Sequence, residues 1–190
     1  TAYEISLGLV GSEMCIRDRE YAVLSLLLSG GKHGYQLRDE LRSLIGGIWH
    51  IAPSRLYLAL KRLESRGNIR CDTHPSPKGP PRKTYTLTSS GREEAFRWLL
   101  SPVVCPRDLR VEFLAKLCLL RRVAPEGLPQ LITAQIAVME RLERELAERD
   151  PGCSDPFVAR AVRSFRLGQV RAALGWLREL SRRVCEEVMQ

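Results

Sequence analysis

The chain has 190 residues, 44% of them apolar, and 30 Lys and Arg against 22 Asp and Glu, a formal charge of +8. That is length and apolar content enough for a buried core in one domain or two small ones, so neither disulfides nor a structural metal is needed for folding. The longest apolar run, around Ala22–Leu28, falls far short of the eighteen or so residues that span a bilayer, which sets aside a membrane helix.

Residues 1–19 show neither a helical nor a strand period, and Ser6 to Arg19 reads like translated sequencing-adaptor read-through. They are expected to be a non-native or disordered leader without function. From Glu20 the pattern sharpens. Tyr21 to Leu28 is a short, almost wholly apolar segment closed by Ser29-Gly30-Gly31, which reads as a buried first helix. Gly34 restarts the chain, and Tyr35 to Ile45 sets Leu37, Leu41 and Leu44 on one face with Arg38, Asp39, Glu40 and Arg42 between them, an amphipathic second helix. Pro53 stands where a first helical residue belongs. The run from there to Arg66 aligns Leu56, Leu60 and Leu63, and Gly67 closes this third helix.

Two strand-like segments follow, Asn68 to Thr73 and Lys83 to Thr88, joined by a Pro/Gly-rich connector that can continue neither. They predict a hairpin with a long exposed tip. Ser90 and Glu93 have capping-box spacing ahead of a fourth helix, and Pro102 and Pro106 mark a boundary. The remainder reads as helices over Leu109 to Arg122, Leu128 to Glu148 and Pro156 to Val188. In the middle one Leu128, Ile132, Ile136, Met139, Leu142 and Leu146 form an apolar stripe, with Glu145 and Arg149 pairing outside it. The last helix carries a similar stripe. Two such helices cannot cover each other and also pack a small domain, so a second copy of the chain is the expected cover.

The fold class expected is therefore mainly α with a small β hairpin. A winged helix-turn-helix over residues 20–100 is followed by an α-helical dimerisation and sensing region over 101–190. Charge concentrates in the first of these: residues 20–90 hold eleven basic and five acidic side chains, a net +6, which suits a polyanion such as nucleic acid. In a winged helix the third helix enters the major groove. With Leu56, Leu60 and Leu63 turned inward, Ser54, Leu58, Lys61 and Ser65 point outward, flanked by Tyr57 and Arg62. Lys and Arg neutralise phosphates or donate to guanine, Ser bonds either, and an aromatic or Leu meets a thymine methyl. The hairpin adds Lys78, Arg82 and Lys83, and Tyr35, opening the second helix, either bonds a phosphate or caps the turn. The expected DNA contacts are thus Tyr35, Ser54, Arg55, Tyr57, Leu58, Lys61, Arg62, Lys78, Arg82 and Lys83.

Other chemistry finds little support. The six cysteines are scattered without a Cys-x-x-Cys pair or a His at ligand spacing, so no metal is expected and the thiols are read as reduced, in a cytoplasm. No glycine-rich phosphate loop, nucleophile elbow or paired His marks an enzyme, and no cofactor is expected. His33 and His50 read as turn or packing residues. The competing reading is a winged helix used as a protein-interaction module without specific DNA binding.

Taken together, His33-Gly34-Tyr35-Gln36-Leu37, then Pro53 through Leu56-Tyr57 to Ala59-Leu60-Lys61-Arg62-Leu63-Glu64, Gly67, and Gly79-Pro80-Pro81-Arg82-Lys83-Thr84-Tyr85 with Leu87-Thr88 and Gly91-Arg92 resemble the PadR-type regulators over roughly residues 20–122. The resemblance implies a dimeric transcription factor, often a repressor, that binds double-stranded DNA and responds to a small aromatic or drug-like effector. It puts Trp98, late in the helix after the wing, forward as an effector contact, with Trp176 a weaker candidate. Leu58, where the family usually has Pro, and Arg55, where a small residue is common, depart from the pattern on or beside the groove-facing surface, so no operator sequence carries over.

Overall fold

The computed structural model describes residues 17–49, 51–75, 81–148, 152 and 154–188. The architecture is mainly α-helical with one small antiparallel sheet, and the chain divides into two compact units. The first comprises the described residues up to Leu99 together with Leu114–Pro125; the second holds Leu100–Phe113 and the described residues from Glu126 on.

In the first unit, helix α1 covers residues 17–27. It therefore begins before Glu20, and Arg17, Asp18 and Arg19 are helical; residues 1–16 of the expected leader lie outside the described residues. Its apolar run is buried almost completely, Ala22, Val23, Leu24 and Leu26 to the last atom. A short strand β1 (Lys32–His33) leads into α2 (Gly34–Ile45), whose buried side chains are Leu37, Leu41 and Ile45. Ile45 takes the place expected for Leu44, which is half-buried, because a helical period of 3.6 puts positions i+7 and i+8 about equally close to the inner face.

Helix α3 (Pro53–Ser65) starts with proline at its first turn and buries Leu56, Ala59, Leu60 and Leu63. Its end is a Schellman motif: the Gly67 N–H donates to the Glu64 carbonyl at 3.0 Å and the Asn68 N–H to the Leu63 carbonyl at 2.9 Å. Gly67 has φ of +75°, a conformation that a Cβ would strain, which is why glycine stands there.

The sheet has order β1-β3-β2, with β2 (Ile69–His74) and β3 (Arg82–Leu87) forming the hairpin and β1 pairing with the other edge of β3. Sequence periodicity does not reveal β1, since two residues are too few for an alternation. The hairpin register pairs Cys71 with Tyr85 and His74 with Arg82; the tip, residues 76–80, lies outside the described residues. Helix α4 (Ser89–Leu100) is capped by Thr88 rather than Ser90: the Gly91 N–H donates to Thr88 Oγ1 at 3.1 Å, while Thr88 Oγ1 donates back to the Gly67 carbonyl at 2.8 Å. The cap thus fastens α4 to the end of α3 as well as satisfying its own first turn.

A 3-10 turn (Pro106–Arg110) precedes α5 (Glu112–Val123), whose residues from Leu114 on belong to the first unit, so the helix expected from Leu109 begins three residues later. The long helices are α6 (Leu128–Glu148) and α7 (Pro156–Val188), the latter opened by Asp155, whose Oδ1 accepts from the Phe157 N–H at 2.8 Å. From the expected stripe of α6, Leu128, Ile132 and Met139 are buried, and Ile136, Leu142 and Leu146 are half-buried. Opposite them α7 buries Val170, Leu174, Leu177 and Val184. Arg171 donates to Glu143 at 2.7 Å and Arg178 to Glu140 at 2.8 Å along the rim. Glu145 pairs with Arg141, while Arg149 lies outside the described residues. Within the apolar stripe sits one fully buried amide, Gln135, which accepts from the Val103 N–H at 2.7 Å and donates to the Val103 carbonyl at 2.9 Å.

Candidate nucleic-acid interface

The inner face of α3 is anchored by four buried side chains, so the helix cannot rotate about its axis without exposing them. Its opposite face is thereby fixed in the open: Ser54, Arg55, Tyr57, Leu58 and Lys61 are all exposed, Tyr57 at 51% and Leu58 at 40%. A free-standing leucine and tyrosine among cations and a serine hydroxyl make a surface with donors, positive charge and apolar contact together. That is what the edges of a major groove present complements for. The first turn of α3 has no side-chain cap: Pro53 carries no N–H, and the Arg55 and Leu56 N–H groups donate to the Ala52 carbonyl at 2.9 and 3.2 Å.

Tyr57 is placed by more than its own helix. Its ring covers Gly34, where an added Cβ would lie 2.9 Å from Cε1, so any larger residue at the start of α2 would displace the Tyr57 ring. Tyr35, the next residue and 50% exposed, stacks on the His33 ring with centroids 5.5 Å apart. His33 is itself a joint: its N–H donates to Gln36 Oε1 at 2.8 Å, and Nδ1 donates to the Lys83 carbonyl at 3.0 Å. The root of the wing is thus tied to the first turn of α2, and Lys83 and Arg82 leave that root with exposed side chains. Lys32, whose Nζ donates to Glu40 at 2.7 Å, braces the same strand from behind.

Of the ten expected contacts, Tyr35, Ser54, Arg55, Tyr57, Leu58, Lys61, Arg82 and Lys83 are exposed on α2, α3 or β3, and Lys78 lies outside the described residues. Arg62 differs: it is half-buried, and its Nη1 lies 3.7 Å from Glu20 Oε1 of α1. Sequence reasoning passed over Gly34 as a packing glycine, Gln36, and the pair Glu20 and Arg66. The first two sit within the stretch His33-Gly34-Tyr35-Gln36 and were findable; the ion pair joins residues 46 apart and leaves no periodic trace.

Trp98 lies elsewhere in the same unit. It is 7% exposed, stacks on Tyr21 at 5.6 Å, and has the Lys116 ammonium 4.9 Å from its ring centre, a cation over an aromatic face. Lys116 is buried with it, at 1% exposure. Trp176 packs edge-on against Phe113 in the second unit and is 41% exposed.

Tyr85, beneath the wing, has its phenol pushed up to about 12, by burial first and then by Cys71 and Glu64. Burial likewise raises the thiols of Cys105, where Asp108 adds to the effect, and of Cys118, which keeps both in the poorly nucleophilic protonated form. Cys71, Cys105, Cys118 and Cys185 are free, and no cluster of His, Cys, Asp and Glu able to hold a metal occurs among the described residues. No described helix is long and apolar enough to cross a membrane.

Comparison with known proteins bears on this arrangement directly. Residues 23–97 match the family described as "Transcriptional regulator PadR-like family". The chain is 32% identical over 115 residues to the Negative transcriptional regulator PadR of Bacillus subtilis, spanning 58% of this chain and 63% of that protein. It is 29% identical over 83 residues to a Mycobacterium tuberculosis protein named Probable transcriptional regulator, covering 44% of each. The chain thus spans less than two thirds of the length of either relative. Crystal structures of Bacillus subtilis PadR align along most of both chains: with operator DNA at 25% identity and a TM-score of 0.44 over 87% of this chain and 98% of that one, and with p-coumaric acid at 26% and 0.41 over 89% and 96%.

Proposed function

Since the chain belongs, through residues 23–97, to the PadR-like family of transcriptional regulators, which are not enzymes, we propose that it binds double-stranded operator DNA through α3 and the wing and represses transcription by occupying a promoter. The observation that carries this is the outer face of α3, where Ser54, Arg55, Tyr57, Leu58 and Lys61 stand exposed over a fully buried inner face. The proposed contacts are these five with Tyr35, Arg82, Lys83 and the tip residue Lys78. The sense of regulation, repression, is taken from the Bacillus subtilis relative's name.

The working division is a DNA-binding domain over residues 20–100 and a dimerisation and sensing domain over 101–190, in a cytoplasmic homodimer. Phe157, Phe165 and Trp176, exposed along α7, support a second copy as their cover. A two-fold dimer calls for a pseudo-palindromic operator with half-sites one or more helical turns apart. Trp98 is our candidate for effector contact, supported by a ring that already lies between an aromatic side chain and a buried ammonium, partners suited to a small aromatic acid. p-Coumaric acid is the first compound to try.

The test is an anisotropy titration of the full chain against its own promoter and a scrambled duplex. With roughly 6 to 10 phosphates neutralised, affinity falls about 10³ to 10⁵-fold between 50 and 200 mM salt, and the promoter is preferred. Equal binding to both duplexes indicates an architectural protein instead, and no binding at either salt indicates a protein-interaction module. Relief of binding by p-coumaric acid in the wild type but not in Trp98→Phe supports the effector site; identical relief in both removes it.

A further inference from the structure

Glu20 precedes the family-matched segment and is 2% exposed. A carboxylate removed from water is costly unless cations and hydrogen bonds meet it. Two guanidiniums do so, both from the far end of α3: Arg66 Nη1 donates to Glu20 Oε2 at 2.5 Å, and Arg62 Nη1 stands 3.7 Å from Oε1. Oε1 is buried and accepts no hydrogen bond among the described residues, so Arg62 is held there by charge alone. A narrow cleft lined by Arg19, Glu20, Arg55, Leu58, Ala59 and Arg62 runs between α1 and this flank of α3, which joins the ion pair to the exposed face at Arg55 and Leu58.

Arg62 therefore has two anions within its reach in any DNA complex, the buried carboxylate and a backbone phosphate. The carboxylate has the advantage. It is pre-positioned, sits where the effective dielectric is low, and is shielded from the salt that weakens an exposed contact. Lys61, one residue earlier and exposed on the outer face, has no carboxylate facing it in an ion pair among the described residues.

Resting on the DNA-binding reading above, we propose that Glu20 is a positioning residue for the DNA-reading helix: it fastens α3 to α1 through Arg66 and holds the Arg62 guanidinium off the phosphate backbone. Lys61, not Arg62, then supplies the ionic contact of that helical turn. In the sequence the two look equivalent, as adjacent cations in Leu60-Lys61-Arg62-Leu63. What separates them is an acid 42 residues before Arg62.

The slope of log affinity against log salt reads this, because each phosphate contact contributes about 0.9 to it and a purely structural role contributes nothing. Promoter binding is measured with the full chain and with Lys61→Ala, Arg62→Ala, Glu20→Gln and the double variant Glu20→Gln/Arg62→Ala, each checked for folding by circular dichroism. Expected are a slope reduced by about 0.9 in Lys61→Ala, unchanged in Arg62→Ala, increased by about 0.9 in Glu20→Gln as Arg62 is released, and returned to the wild-type value in the double variant. A slope reduced by about 0.9 in Arg62→Ala alone overturns the proposal, as does an unchanged slope in Glu20→Gln. Should Glu20→Gln fail to fold, Lys61→Ala against Arg62→Ala decides by itself. A wild-type chain that binds no DNA at all overturns the DNA reading and this inference with it, an outcome distinct from binding with the wrong slopes.

Discussion

The two units settle their apolar surface in different ways. In the first, α1 to α4, most of α5 and a sheet form one compact unit, and the large apolar side chains left outside among the described residues are Tyr35, Tyr57 and Leu58, all on the face proposed for DNA. In the second, α6 and α7 bury one stripe each, yet Val104, Val111, Phe157, Phe165 and Trp176 stay in the open. Exposed apolar groups mixed with cations and hydroxyls suit a ligand that is itself polar and charged. Strung along a helix, as Phe157, Phe165 and Trp176 are on α7, they suit a protein surface of the same kind. On the proposed function, the first unit is a closed fold that presents one face to DNA, and the second presents half of a dimer interface.

If that contrast is right, substitutions inside the first unit act on stability, while those on the exposed part of the second act on association. The largest effect is expected for Leu60→Ala, which empties a site 1% exposed at the centre of α3's inner face: about 2–5 kcal/mol, measured by urea unfolding. A loss below about 1 kcal/mol would mean that α3 is not anchored as described. Gly91→Ala should follow, at about 1–3 kcal/mol, because the added Cβ meets the Asn68 carbonyl, a backbone atom with no freedom to withdraw.

Tyr85 tests the same closed core through pH. Its folded-state phenol titrates at about 12 against an unfolded value near 10, so folding favours the protonated form. That contribution is fully present below pH about 10 and is lost as pH rises through 12. The denaturation midpoint should therefore fall between pH 10 and 12 in the wild type and fall less in Tyr85→Phe; parallel curves would show that Tyr85 is not the group responsible. The smallest effect on folding is expected for Phe165→Ser, within about 0.5 kcal/mol for a side chain that is 66% exposed. It should nevertheless shift sedimentation from dimer toward monomer, and an unchanged dimer would place the interface elsewhere.

How far the sequence could be read follows the same division. In α3 every local signal agreed, from the opening proline through the leucine period to the closing Gly67, so both the helix and its outward face were legible. What escaped was non-local or very short: β1, which exists only because β3 offers it an edge, and Thr88, whose capping role depends on where the wing ends. Glu20 looked like the first residue of a helix, and only the fold shows it facing Arg62 and Arg66. In the second unit the stripes were visible, but no pattern of spacing announces that a glutamine belongs among them.

That glutamine has a meaning beyond its burial. By receiving one hydrogen bond from Val103 and returning another, Gln135 offers a single peptide unit what a neighbouring strand would offer, from the side of a helix. The stretch after α4 is thereby pinned at one residue irrespective of which side chain Val103 carries. Glutamate, of the same length, would keep the acceptor and lose the donor, leaving the pin with one prong.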